Sequence, residues 1–432
     1  MPRFLPTLFP TAASDPVLHR VRPALEFAFF NALTWQIAVG TPMVLFAQRL
    51  GASPFAVGLA YGFLYLLMPV QVLATSLLPR LGFKRLTLGG WRTRSFFLLV
   101  PIGLAAFRPA PGNPWLVGAL VVSVFFFCLF RSIGVAALTS WIYALVPPAV
   151  RGRYFASEQF SGGVASAATL ICSAALFATL PFYAAILLQY LIALTGSTLS
   201  YFILKKLPDV PGPVSLDIRK IVFDSSRHLF ASGAFRRYLW LSAVWMLLTT
   251  PLPPFAAFYL KSAVGVTAGA IMTLEVVRYM AMGFGAWFIR HHIDRLGTKA
   301  CFQAALGGLA AVLVYWCVYL QSGFGGFPGL CLAYGLFGFS AVCWLVASAE
   351  YLPRVVPDAE RPLMVPLYGA ATYLIGGLGP VLWGPLLKGG AGISTRSFGL
   401  FFASELAATA LLAVILMRRL NWSHAVSAPS PA

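Results

Sequence analysis

The segment Arg80-Leu81-Gly82-Phe83-Lys84 returns 215 residues later as Arg295-Leu296-Gly297-Thr298-Lys299. Two further stretches recur in the same order. Thr41-Pro42-Met43-Val44-Leu45-Phe46-Ala47 has a counterpart 209 residues on, in Thr250-Pro251-Leu252-Pro253-Pro254-Phe255-Ala256. Val146-Pro147-Pro148-Ala149-Val150-Arg151 returns after 210 residues as Val356-Pro357-Asp358-Ala359-Glu360-Arg361. Preserved order at nearly constant spacing marks a duplicated unit with small insertions.

What is duplicated follows from composition. Of 432 residues, 59% are hydrophobic and 10% charged, and the mean hydropathy is +0.82, whereas soluble domains carry about 25% charged residues. The apolar residues fall in runs of about 20, the length that crosses a hydrocarbon core about 30 Å thick. Helices are expected, because a helix satisfies its own backbone in lipid. The spacing predicts spans over 24–48, 54–78, 94–109, 115–145, 156–178 and 182–204, then 238–260, 266–290, 300–320, 327–351, 364–387 and 396–418. Residues 205–237, polar and interrupted by Pro208, Pro211 and Pro213, read as a linker between two bundles. Residues 1–23, with prolines and no uninterrupted apolar core, read as a lead-in rather than a signal peptide, and 419–432 as a tail.

A net charge of +19 suggests nucleic acid only until position is considered. The basic residues gather in alternate connections: 24 of the 31 fall on the side of the amino terminus, Arg92 and Arg94 among them, and five on the other. That asymmetry follows the positive-inside rule and puts both termini in the cytoplasm. No nucleic-acid motif is present. Six cysteines lie in or beside apolar runs without a CxxC pair and read as buried free thiols; the adjacent His291 and His292 point to opposite sides of a helix, so no metal site and no cofactor is expected.

At the repeated loops the chain resembles the major facilitator superfamily over essentially its whole length. Asp294-Arg295-Leu296-Gly297-Thr298-Lys299 is similar to that family's cytoplasmic signature, while the first-half copy has Pro79 in place of the acid. The family's antiporter signature, a glycine-rich run with Gly-Pro in the fifth span, is missing from Ser161-Gly162-Gly163-Val164-Ala165, and a similar run, Gly376-Gly377-Leu378-Gly379-Pro380, stands in the eleventh span. The resemblance implies an all-α membrane protein with twelve transmembrane helices in two pseudo-symmetric bundles, a secondary transporter of the inner membrane that works as a monomer on a small-molecule substrate, with protons as a coupling ion. It also implies that the fourth and eighth spans border a central cavity, and the third, sixth, ninth and twelfth form an outer scaffold.

Charges near the bilayer midplane cost at least about 2.5 kcal/mol each on insertion scales, and are retained for a reason. Arg131 lies mid-span, as do Glu275 and Arg278, and neither position set has a charged counterpart in the repeat. Arg131 and Arg278 are the leading contacts for an anionic group; an arginine satisfied by neighbouring carbonyls is the plainer alternative. Glu275 is the candidate proton-coupling carboxylate, or else the permanent partner of Arg278, three residues along the same helix face. Glu405 ranks lower, in the outer scaffold.

Asn31, Gln36 and Gln71 can orient a solute or bond to neighbouring helices. Trp35, Trp240, Trp245, Trp344 and Tyr373 can stack on a ring, although such residues more often pack helices. Asp294, Arg295 and Lys299 can latch to Glu350 or Glu360 as a cytoplasmic gate, and Glu158 to Arg80, Lys84 or Arg85, with Arg151 in the adjoining loop; a solvated cluster that fixes topology is equally consistent. The Thr41-Pro42 and Thr250-Pro251 steps free backbone carbonyls and predict bends. The absence of a phosphate-binding loop, a nucleophile elbow and a zinc-protease segment excludes the common enzyme motifs. A non-transporting assembly factor or receptor of this fold, and a lipid flippase with a cavity open sideways, are the alternatives.

Overall fold

The computed structural model describes residues 22–147, 151–211, 233–356, 361–389 and 392–419. The first half runs through α1 (Arg22–Ala38), α2 (Thr41–Arg49), α3 (Pro54–Leu66), α4 (Val70–Ala74), a 3-10 turn (Thr75–Leu77), α5 (Leu78–Phe96), α6 (Leu99–Phe107), α7 (Pro114–Leu145), α8 (Arg151–Thr179) and α9 (Phe182–Lys205). The second follows with α10 (Gly233–Thr249), α11 (Leu252–Tyr259), a π turn (Leu260–Val264), α12 (Ala268–Ser322), α13 (Gly326–Val355), α14 (Arg361–Leu386) and α15 (Thr395–Arg419). A two-residue antiparallel pair, β1 (Lys388–Gly389) with β2 (Gly392–Ile393), precedes α15.

Eight of these helical stretches are each long and apolar enough to cross a membrane, and Pro54–Leu66 with Val70–Phe107, bent by 45°, makes a ninth if taken as one span. The expected twelve are not reached by that measure. The segments that fall short carry the charges of α5 and of the first part of α12, or the glycines and prolines of α14, which dilute hydropathy without preventing a helix.

Both Pro steps break their helices as expected: α1 ends at Ala38 and α2 starts at Thr41, and α10 ends at Thr249 with α11 starting at Leu252. The repeated loops behave alike too. Gly82 has φ 70° and ψ 172°, and Gly297 has φ 74° and ψ 160°. This region is essentially reserved for glycine, because a Cβ would collide with the backbone. Each glycine therefore turns one helix sharply into the next within a continuous helical stretch.

Two boundaries differ from expectation. The third span does not begin at 94, because the helix resumes just after Gly82 and puts Arg94 about three turns in; the first helix of the second half, expected from 238, is already formed at Gly233, the first residue described there. Arg94 therefore leaves the set of cytoplasmic charges: its side chain is buried in the bundle. Crowded arginines conceal the start of a span because hydropathy averages over a window, whereas burial depends on which face a residue occupies.

Within each half, helices meet where residues are small. A Cβ at Gly90 would lie 2.7 Å from the Gly134 backbone, and Thr34 Oγ1 donates to the Ala193 carbonyl at 2.9 Å. The two halves touch at the end that carries the 50–53 and 265–267 connections. A Cβ at Gly58 would overlap the Pro380 carbonyl oxygen, one at Gly377 would sit 2.8 Å from Leu66 N, and one at Gly384 2.5 Å from Phe55 Cα. Gln48 Nε2 donates to Phe258 O at 3.0 Å and to Ser262 Oγ at 2.9 Å across the same seam. The glycine run of α14 is thus a packing surface: its missing side chains let α3 and α10 approach backbone to backbone.

Candidate functional site: a central cavity between the halves

Below this seam a cavity of about 300 Å³ separates the halves. Tyr61 and Tyr65 of α3 line it from the first half; Trp245, Thr249, Arg278, Trp344, Ser348, Tyr368, Thr372 and Tyr373 are among those lining it from the second. Its aromatic walls are preorganised by their own contacts. Trp245 and Trp344 stack at 4.2 Å with planes 3° apart, backed edge-on by Phe302 at 4.9 Å from Trp344. Tyr65 and Tyr373 face one another across the halves at 5.9 Å. Rigid aromatic faces interspersed with hydroxyl groups suit a planar or amphipathic solute.

Arg278 Nε donates to Glu275 Oε2 at 2.7 Å, and its Nη2 lies 2.5 Å from the same oxygen. The i, i+3 spacing on α12 places them together. Glu275 is 1% exposed, and its Oε1 has no hydrogen-bond partner among the described residues. The guanidinium also lies over the Tyr279 ring at 4.6 Å. Gly338 of α13 admits this arrangement, since a Cβ there would overlap the Arg278 carbonyl.

Arg131, half-buried on α7, has no hydrogen-bond or ion-pair partner among the described residues. Tyr65 and Tyr373 lie within electrostatic range of it, and Tyr65 lies within range of Arg278 as well. Arg278 thus lines the cavity with a counter-ion, whereas Arg131 stands behind its wall without one, within electrostatic range of the lining residues Tyr65 and Tyr373.

The remaining expected contacts divide. Trp245, Trp344 and Tyr373 line the cavity. Trp35 is half-buried against the main core, Gln36 is buried with Nε2 unpartnered, and Gln71 Nε2 donates to Met68 Sδ at 2.9 Å. Asn31 Oδ1 accepts from Arg94 Nη2 at 2.8 Å. Trp240 is a correction: it is exposed beside Leu411 and Leu412, in an outer groove between α10 and α15, because it lies on the face opposite Leu239 and Trp245. Glu405 is buried in α15 and accepts from Trp383 Nε1 at 2.7 Å. Reading spans by hydropathy overlooked Arg94; its position three turns beyond Gly82 was the available signal.

Of the expected gating residues, Glu350 forms an ion pair with Arg354 on its own helix, Lys84 Nζ donates to Leu207 O at 2.7 Å, Arg80 and Lys299 are exposed, and Glu158 is half-buried. Glu360 and the side chains of Asp294, Arg295 and Arg151 lie outside the described residues. The cysteines are free thiols, but only Cys128, Cys301 and Cys343 are buried; Cys172 is exposed, on a helix face turned away from the bundle. Among the described residues, no group of three or more metal-ligating side chains gathers.

No family model matches the chain, and no curated protein does. Solved structures do. A nucleoside transporter, NupG, solved as a single-residue mutant, superposes with a TM-score of 0.73 at 12% identity, covering 92% of this chain and 99% of that one. A bacterial homologue of the iron transporter ferroportin in an inward-facing state gives 0.68 at 17% identity, with 94% and 99% covered. A D-xylose-proton symporter gives 0.68 at 14% identity, with 94% and 97% covered. With the repeated breaks, the paired glycine turns and the two-half cavity, these likenesses show that the chain has the fold of the major facilitator superfamily.

Proposed function

We propose that this protein is a secondary active membrane transporter that moves a small anionic or amphipathic organic solute by alternating access, with protons as the coupling ion. The observation that carries the reading is the aromatic cavity of about 300 Å³ between the halves, sealed at one end by the α3–α14 glycine seam and bordered by Arg278. In this reading the chain spans the inner membrane with twelve helices, as bundles over 24–204 and 238–418 joined by a cytoplasmic linker over 205–237. Bent or charge-bearing segments supply the spans that hydropathy alone leaves out. The bias of basic residues supports cytoplasmic termini, so the sealed seam faces outward and the state is inward-facing. Because one chain supplies every wall of the cavity, a monomer is sufficient.

Arg131 and Arg278 are the solute's polar contacts and Trp245, Trp344 and Tyr373 its apolar ones. Glu275 carries the coupling proton: protonation would release Arg278 from its ion pair and change the charge that the cavity presents. Asp294, Arg295, Lys299, Glu350, Glu158, Arg80, Lys84 and Arg151 remain the gating candidates at the cytoplasmic end. A panel of anionic, sugar-like and aromatic metabolites should contain compounds that raise the Tm of the purified protein, since a ligand that binds only the folded state stabilises it. Compounds that do so are then tested for uptake into proteoliposomes. Stabilisation without any uptake would make the protein a receptor of this fold, and an Arg131→Ala protein that binds as wild type would remove the anionic contact.

A further inference from the structure

One buried arginine has no part in the transport scheme above. Arg94 is 0% exposed. Its Nη2 donates to Asn31 Oδ1, its guanidinium faces the Trp91 ring at 4.4 Å and the Phe127 ring at 5.2 Å, and its Nε and Nη1 have no hydrogen-bond partner among the described residues. A guanidinium taken out of water without a counter-charge is a standing cost to the fold.

The half that contains it has no acid placed to neutralise it. Residues 22–205 include two carboxylates, Glu26 and Glu158. Glu26 is paired with Arg22 at 2.9 Å and sits about 7.5 Å along the helix from Asn31. Glu158 lies in the first third of α8, toward the linker end, and forms no ion pair with either arginine. Phe127, against which Arg94 packs, is four residues from Arg131 and shares its helix face. The two guanidinium groups are within electrostatic range of each other, and Arg131 in turn is in range of the cavity tyrosines Tyr65 and Tyr373. The second half differs, since Arg278 has Glu275.

We propose that Arg94 and Arg131 form a dibasic anion subsite in the first half, where the carboxylate or phosphate group of the solute binds Arg131 while Arg94, oriented by Asn31, acts behind it as a fixed positive charge. The proposal rests on the transporter reading and assigns the anionic group to the first half rather than to Arg278. Little water screens charges at this depth, so a second cation behind the first deepens the local potential without touching the ligand. Arg94 is on this account a positioning residue, retained at the expense of stability.

The test uses the full chain in nanodiscs of zwitterionic lipid at constant ionic strength, with benzoate and inorganic phosphate as probes and uncharged benzamide as the control. Wild type should bind one or both anions saturably and benzamide far more weakly. Arg94→Met should raise the anion Kd about 10- to 100-fold, the range expected when a unit charge about 6–12 Å away is removed at an effective dielectric constant of about 20. The unliganded Tm of that variant should equal or exceed wild type, because a desolvated charge has been removed. Arg94→Lys should restore part of the affinity, and Arg278→Gln should leave anion binding nearer wild type than Arg131→Gln does. Unchanged anion binding in Arg94→Met overturns the subsite, as does a wild type that binds neither anion. So does a fall in unliganded Tm that Arg94→Lys repairs without restoring binding. Uptake separates this inference from the transport reading. Anion uptake with an unaltered KM in Arg94→Met removes the subsite and keeps the transporter; binding with the expected dependence but no uptake of any anion removes the transporter and keeps the subsite.

Discussion

Arg278, on the wall of the central cavity, holds a single carboxylate oxygen of the buried Glu275 through Nε and Nη2, at 2.7 and 2.5 Å. Neither residue can be removed alone without stranding the other. Breaking a buried pair from one side costs about 3–5 kcal/mol, so Arg278→Ala should lower the Tm more than the double change Glu275→Ala with Arg278→Ala. Glu275→Gln keeps a hydrogen-bond acceptor but cannot alternate its charge. Once a substrate is found, that variant should lose accumulation driven by a proton gradient and keep exchange of labelled for unlabelled solute across proteoliposomes. Accumulation at the wild-type level would remove Glu275 from coupling.

The α3–α14 seam gives a conformational prediction. A leucine at Gly58 meets the Pro380 backbone rather than a movable side chain. Overpacking of this kind costs about 1–3 kcal/mol, enough to shift a two-state equilibrium by about 5- to 150-fold. Gly58→Leu should therefore open the sealed end. Spin labels at Asn113→Cys and Ser322→Cys, on exposed residues at that end, should report a longer mean distance by pulsed electron resonance than in the unsubstituted background.

The paired turns at Gly82 and Gly297 separate backbone strain from crowding. Among the described residues, nothing beyond its own chain neighbours lies within 4 Å of a Cβ at either position, so an alanine is opposed by its own backbone at that φ rather than by packing. Gly82→Ala and Gly297→Ala should each destabilise by about 1–3 kcal/mol. Gly89 also has open space, yet sits in a helix at negative φ, and Gly89→Ala should be neutral or slightly stabilising. Thermal unfolding of the three variants in one detergent checks the contrast.

The stack of Trp245 on Trp344 should matter to aromatic solutes in particular. Removing either ring opens the wall and exposes the face of the other, so Trp245→Ala should weaken binding of an aromatic ligand by about tenfold or more, in keeping with 0.5–1.5 kcal/mol for stacking beyond area burial plus the area itself. Trp245→Phe should recover much of it. Calorimetry with an aromatic and a non-aromatic ligand of equal charge would show whether the loss is selective.

How much of this was legible beforehand depends on the range of the interaction. The Glu275–Arg278 pair, the bends at Thr41-Pro42 and Thr250-Pro251, and the matched turns at Gly82 and Gly297 are set within a few residues by helix periodicity, proline geometry and glycine's tolerance of positive φ. Sequence alone therefore determined the helical architecture, the duplication and the existence of buried charge. Tertiary structure decided which charges face one another. It drew Arg94 into the bundle beside Asn31, turned Trp240 outward, set Trp344 on Trp245 from 99 residues away, and used the glycines of α14 to close one end. A residue's depth and local geometry are encoded near it in the chain, but the partner across a helix interface is chosen by packing between segments far apart in sequence, and no local pattern carries that information.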